Sequence, residues 1–182
     1  LFTDESPIDS APGEKNNFVL DAGAGGIAFN ADLGARDSFL WFEIVQADAG
    51  VVFGQADSPE GPLGDRGPVR LVNVETGVNL GSEEVITGGI VLNAGPGEEL
   101  LIHVAWGGVD VNGPVWLESD VGIDTFSGNG DITFTTDATI DSQLGEHNDF
   151  RLNAGTGHVF FNADVGGAAG GDHTLGDMTV ET

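Results

Sequence analysis

Residues 140–167 read "IDSQLGEHNDFRLNAGTGHVFFNADVGG", and residues 8–35 read "IDSAPGEKNNFVLDAGAGGIAFNADLGA". The two align without a gap at an offset of 132 residues, from Ile8/Ile140 through Gly13/Gly145, Phe18/Phe150 and Leu20/Leu152 to Asp32/Asp164 and Gly34/Gly166. This is an internal duplication. In "HVFFNADV", Val159, Phe161, Ala163 and Val165 fall on one side of an extended chain, and His158, Phe160, Asn162 and Asp164 on the other. The earlier copy keeps the first side apolar as Ile27, Phe29, Ala31 and Leu33, and replaces His158 and Phe160 by Gly26 and Ala28. The first side is therefore the expected core, at equivalent places in the fold, and the opposite side is expected to face solvent.

Period-two alternation recurs at Phe150 and Leu152 around Arg151, at Ile132 and Phe134 around Thr133, and at Met178 and Val180 around Thr179. Helical spacing is absent. "EELLIHVAWGG" (98–108) alternates with apolar residues on both sides, which predicts a strand buried on both faces. Thirty Gly and 7 Pro, spread along 182 residues, predict many tight turns between short strands.

A degenerate copy near 88–108 carries Leu92-Asn93-Ala94-Gly95, matching Leu20-Asp21-Ala22-Gly23 and Leu152-Asn153-Ala154-Gly155. A weaker echo joins "GPVRL" at Gly67 to "GPVWL" at Gly113. With roughly 20 to 24 residues per coil, the 132-residue offset would span about six coils. Two all-β architectures fit these strands: a right-handed parallel β-solenoid, and a β-sandwich that would read 18–31 as a hairpin. The duplication favours the solenoid. An offset of 132 within 182 residues leaves only 50 residues for a second copy, too few for a second sandwich of ~100 residues, whereas a coil array can stop anywhere. Residues 1–182 are accordingly read as one continuous repeat array.

Five Lys+Arg against 30 Asp+Glu give a formal charge of −25. Such a field repels phosphate backbones and argues against nucleic acid as a partner. The absence of Cys rules out disulfides and thiolate metal sites. No apolar run approaches the ~20 residues of a membrane span. The opening "LFTDESP" has neither a basic nor an apolar leader segment, so any signal or anchor is expected outside this sequence.

"GDITFTTDATIDS" (130–142), "NDFRLNAGTGHVFFNADVGG" (148–167) and "LGDMTVET" (175–182) resemble the tandem β-strand repeats of very large bacterial surface proteins of the filamentous-haemagglutinin-like type. The resemblance is clearest over 131–182 and 8–35. It implies an extracellular or cell-surface stalk of solenoid coils, adhesin-like or matrix-like. The sequence departs from calcium-binding nonapeptide arrays, because no tandem "GGxGxDxx" run occurs.

Candidate chemistry is sparse. His103, His147, His158 and His173 lack zinc-ligand spacing. The basic residues Lys15, Arg36, Arg66, Arg70 and Arg151 do not cluster in sequence, so an acidic polysaccharide would be repelled. No nucleophile elbow, Walker-type loop or dinucleotide fingerprint is present. Trp41, Trp106 and Trp116 sit in apolar strands and are read as core or seam fillers; the alternative is a platform that stacks on sugar rings. Three acidic, glycine-bearing loops nominate calcium ligands, with Asp57 and Asp65, Asp120 and Asp124, and Asp172 and Asp177 as the oxygen donors.

The expected function is a non-enzymatic structural segment of an extracellular fibre or adhesin stalk, with no cofactor required and calcium as the candidate ion. The alternatives are a glycan-binding module and a carboxylate-dependent polysaccharide hydrolase. Phe2 and Thr3 align with Phe134 and Thr135, inside a strand segment, and Met178 and Val180 align with Phe42 and Ile44. Both ends are therefore expected to lie mid-strand, with neighbouring repeats or identical copies stacked end to end as partners.

Overall fold

The structure, a computed structural model, describes residues 8–54, 71–95, 97–167 and 172–182. These residues form sixteen strands: β1 (Asn17–Gly23), β2 (Ile27–Phe29), β3 (Trp41–Ala47), β4 (Val51–Phe53), β5 (Leu71–Val74), β6 (Val78–Leu80), β7 (Ile90–Leu92), β8 (Glu99–Val104), β9 (Val109–Val111), β10 (Val115–Leu117), β11 (Asp120–Asp124), β12 (Ile132–Phe134), β13 (Ile140–Ser142), β14 (Phe150–Asn153), β15 (Val159–Phe161) and β16 (Met178–Glu181). Among the described residues there is no helix, and none is available to cross a membrane.

The strands form three sheets: sheet I in the order β1-β3-β6-β9-β12-β15, sheet II β2-β4-β7-β10-β13, and sheet III β5-β8-β11-β14-β16. Every pairing among them is parallel. Parallel neighbours need a long crossover. Here the crossover is the rest of the coil, two further sheets away, so the chain winds I, II, III and back to I. The fold is a parallel β-solenoid of roughly six turns, and the sandwich alternative falls.

The short strands follow from alternation. Phe42 and Ile44 of β3, Val115 and Leu117 of β10, and Ile132 and Phe134 of β12 point inward and are buried, while Glu43, Trp116 and Thr133 between them point out. Each inward residue lies over its counterpart one turn away: Ile27 on Val51 on Ile90 on Val115 on Ile140. At the early end Phe29, Phe42 and Phe53 form an aromatic core, with Phe29 and Phe53 stacked at 5.1 Å. β8 obeys the same rule. Leu100, Ile102 and Val104 are buried while Leu101 and His103 are half-exposed, so the expectation of burial on both faces is wrong. A solenoid wall has solvent on its outer side even where that side carries a leucine.

Coil length is not held to the expected 20 to 24 residues. In sheet II, Ile90, Val115, Ile140 and Val165 follow at a constant step of 25, but Val78 to Val109 in sheet I takes 31 and Val109 to Ile132 takes 23. The duplication therefore does not span six coils. From Ile8 the chain returns to the same wall at Leu33, Leu71, Ile102 and Ile123, four turns, and then passes sheet I to reach Ile140 in sheet II. Consequently β1 of sheet I has its sequence counterpart in β14 of sheet III, and β2 of sheet II has its counterpart in β15 of sheet I. The copies are displaced by one wall. The expectation that their apolar stripes occupy equivalent places fails, although both stripes face inward.

What the copies share is local geometry. The Asp21, Asn93 and Asn153 side chains each accept a hydrogen bond from the N–H two residues on, that of Gly23, Gly95 and Gly155, at 2.9, 2.7 and 3.2 Å. All three glycines have positive φ (52°, 98° and 61°). This is an Asx turn closed by a residue that only glycine supplies cheaply. It ends a strand on sheet I, on sheet II and on sheet III respectively. In both full copies the Ser10 and Ser142 hydroxyls likewise accept from the Asn16 and Asn148 N–H, at 3.0 and 3.1 Å. The motif encodes a corner, whichever wall it follows.

At one corner into sheet I the turns approach too closely for any side chain: a Cβ on Gly130 would fall on the carbonyl of Gly107, and one on Gly107 on the carbonyl of Thr76. Two outcomes are expected in urea unfolding. Gly130→Ala should lower stability by at least ~2 kcal/mol, the range of backbone clashes. Phe29→Ala should cost about 3–5 kcal/mol as a fully buried aromatic, and Phe161→Ala distinctly less. Phe161 stacks on Phe134 at 5.4 Å but is only partly buried in the last turn. Equal losses at the two phenylalanines would contradict the burial difference.

Candidate functional site: a corner groove and an aspartate ladder

Corner lengths shape the surface between sheets II and III. The connection from β7 to β8 runs 93–98 and that from β13 to β14 runs 143–149, but between them β10 passes to β11 through Glu118 and Ser119 alone. A short corner between two long ones leaves a groove. Its polar part, about 330 Å³, is lined by Asn93, Glu98, Glu118, Asp120, Gln143 and Glu146 among others. A further part of about 300 Å³ continues over the outer side of sheet II, where Val91, Trp116, Leu144 and His173 line it and Glu118 and Gln143 are shared.

The floor is held rigidly. The Asn93 amide donates to Glu118 Oε2 at 2.9 Å, and the Ala94 N–H donates to the buried Ser119 hydroxyl at 2.8 Å. The Asn148 amide donates to the Leu117 carbonyl at 2.8 Å, to Ser142 Oγ at 3.0 Å and to Glu146 Oε2 at 3.1 Å. On the apolar side the His173 ring meets Trp116 edge-on, 5.5 Å between centroids, with its Nδ1 3.1 Å from the Ser142 carbonyl. None of Asn93, Gln143, Glu146 and Asn148 stands out in the sequence as a site residue. Their signal is the unequal spacing of strands, which becomes readable only once register is known.

Of the nominated calcium ligands, the structure describes Asp120, Asp124, Asp172 and Asp177. Asp57 and Asp65 lie outside the described residues. Asp120 and Asp124 stand at opposite ends of β11, and Asp124 Oδ1 accepts from the Phe126 N–H at 2.9 Å, another Asx turn. Asp120 instead starts a ladder on the entrance to sheet III: its Oδ1 accepts from the Asp149 N–H at 2.8 Å, and Asp149 Oδ1 accepts from the Asp177 N–H at 2.7 Å. Each carboxylate thus fastens the next turn. Asp172 accepts from the Thr174 hydroxyl at 2.8 Å with His147 3.6 Å away. Among the described residues, no group of three or more His, Asp or Glu is placed to hold a metal ion.

The tryptophans are not core fillers. Trp41 and Trp116 lie on the outer sides of β3 and β10, and Trp106, at the corner after β8, is 70% exposed. Facing sheets leave room for aliphatic and phenyl groups that meet at mid-section, and the inward places beside the indoles already belong to Phe42, Val115 and Leu117. Trp116 stands on sheet II, away from Trp41 and Trp106, which lie two turns apart at the corner from sheet III into sheet I. Of the basic residues, Lys15 pairs with Glu75 at 2.9 Å, and Arg151 of β14 reaches over Gly122 of β11 to Glu99 of β8 at 3.0 Å. Arg66 and Arg70 lie outside the described residues.

Glu75, Asp131 and Asp172 sit below the ordinary carboxyl range, Glu75 through its hydrogen bond from Lys15, Asp131 through the backbone N–H of His158, and Asp172 through the Thr174 hydroxyl. A lowered carboxyl stabilises the fold above its unfolded value, and this stabilisation is lost as pH falls through the folded one. Asp131→Asn, which keeps an acceptor oxygen but no charge, should be less stable than the parent at pH 6. The two urea midpoints should converge below the ordinary aspartate value of 3.8. A gap that stays constant with pH would show that the Asp131 charge contributes nothing.

The chain matches no family model, no curated protein and no solved structure. Its class rests on the fold: a β-solenoid repeat protein.

Proposed function

We propose that this chain is a structural segment of an extracellular fibre, adhesin stalk or matrix protein of the filamentous-haemagglutinin-like kind, non-enzymatic, whose task is to span distance and present its walls. The observation that carries the reading is the continuity of three parallel sheets past the point where burial stops. In the last described turn Val159, Phe161 and Val165 face inward yet are only partly covered, and Met178 and Val180 are 40% and 43% exposed. At the opposite end Phe18 and Leu20 of β1 are likewise half-covered. Among the described residues, β15 and β16 are the outermost strands of their sheets and offer backbone groups in the register that every inner turn uses. A further coil, from a neighbouring repeat or an identical copy, would complete both. The charge of −25 keeps such a fibre soluble and its outer walls apart from one another.

Sedimentation velocity across a wide concentration range tests the stacking. Self-association is expected, abolished by Val180→Lys, which places a charge in the inward row. A monomer unchanged at high concentration would remove the end-to-end form of the proposal. For cations, screening of mutual carboxylate repulsion should raise the melting midpoint equally in calcium, magnesium and sodium at matched ionic strength. A rise confined to calcium would establish a specific site instead.

A further inference from the structure

We propose that Asn129 is a site of spontaneous chemical modification, at which the side-chain amide is lost to attack by the main-chain nitrogen of Gly130. The site lies on the corner from sheet III into sheet I, between β11 and β12. It is independent of the groove, of the coil ends and of the fibre reading.

The sequence holds two Asn-Gly pairs, Asn112-Gly113 and Asn129-Gly130. Asparagine is a thermolabile residue, and a following glycine has no Cβ to shield its nitrogen from the asparagine side chain. The fold treats the two pairs oppositely. Asn112 is half-buried and tied at both ends of its amide: the nitrogen donates to the Gly81 carbonyl at 3.0 Å, and the oxygen accepts from the Thr135 hydroxyl at 2.9 Å. Its main chain is held as well, the N–H donating to Leu80 and the carbonyl accepting from the Ile86 N–H, both at 2.9 Å.

Asn129 is exposed and sits at a φ of 54°, in the left-handed region that side chains rarely enter. Its Oδ1 accepts from the Thr156 N–H at 2.9 Å, while its Nδ2 has no hydrogen-bond partner among the described residues. The Gly130 N–H reaches the Thr125 carbonyl at 3.4 Å, beyond the ordinary range and the longest main-chain bond of this corner. The attacking nitrogen is thus weakly held and the leaving nitrogen free. As the bond forms, charge gathers on Oδ1, where the Thr156 N–H already stands as a donor.

The chemistry needs only water. The Gly130 nitrogen bonds to Asn129 Cγ and gives up its proton; Nδ2 departs with that proton as ammonia, closing a succinimide. Water added at Cγ opens the ring to aspartate. Added at the main-chain carbonyl, it gives isoaspartate, whose backbone runs through Cβ and Cγ and is one methylene longer. Either product carries a new negative charge. The longer one has no room, because a Cβ on Gly157 of the next turn would lie 2.6 Å from the Gly130 carbonyl oxygen and 2.7 Å from that of Asn129. Isoaspartate at this corner therefore loosens the stack between neighbouring turns.

Peptide mapping by mass spectrometry after incubation of the whole chain at pH 8 and 37 °C tests the proposal, reading the replacement of NH2 by OH at each asparagine. In the folded chain Asn129 is expected to convert at least roughly tenfold faster than Asn112, and in concentrated urea the two rates should draw level. The isoaspartate fraction, separated by anion exchange and identified with an isoaspartyl methyltransferase, should unfold at lower urea than the parent. Asn129→Asp, which adds the charge without the methylene, should keep the parent midpoint. Conversion of Asn112 as fast as Asn129 in the folded chain overturns the assignment, as does an Asn129 that stays intact while the chain in urea reacts. An isoaspartate fraction no less stable than Asn129→Asp overturns the loosening of the stack.

Discussion

Everything in this molecule depends on stacking in register. Adjacent parallel strands lie about 4.8 Å apart, so an inward side chain must fit directly over the one a turn below, and a backbone N–H must find the carbonyl beneath it. Ile27, Val51, Ile90, Val115 and Ile140 satisfy the first demand in sheet II. At the corners, where the main-chain ladder is interrupted, side chains satisfy the other. Asp120 and Asp149 accept from the turn above, as do Asp131 from His158 and Asp141 from Gly167. A good part of the chain's acidity is in this way structural: carboxylates that read as a solvated surface in the sequence hold one turn to the next.

The same constraint explains the surface. Walls are flat and repetitive because strands of three to seven residues stacked in register admit little else, and individuality is pushed into the corners. Where successive corners are alike, as at Gly107 and Gly130, backbones touch and nothing larger than hydrogen fits. Where they differ, as at 93–98, Glu118–Ser119 and 143–149, a groove opens. The chemistry this chain can present is decided by differences in corner length between neighbours.

Much of the fold is legible in the sequence. Alternation at Phe150-Arg151-Leu152 and Ile132-Thr133-Phe134 identifies inward residues that are buried, and the gapless duplication favours coils over a sandwich. The pitch is not legible. Turns of 23, 25 and 31 residues differ only in their corners, and corner residues leave no periodic trace. The tryptophans mislead when hydrophobicity is weighed without parity: Trp116 lies between Val115 and Leu117, so alternation already sends it outward. The groove is the least visible feature. Asn93 is far in the chain from Gln143 and Asn148, all three are ordinary in composition, and only stacking brings them together.

The displacement of the two copies by one wall has a consequence for how such a chain can change length. If the repeated segment were tied to a particular wall, any insertion other than whole turns would present core residues to the wrong neighbours. The Leu-Asx-Ala-Gly corner closes a strand on all three walls, so the unit of growth is a third of a turn. A gene segment copied at an arbitrary phase can still be wound into the rod, which makes the architecture tolerant of unequal recombination and lets lineages vary its length in small steps.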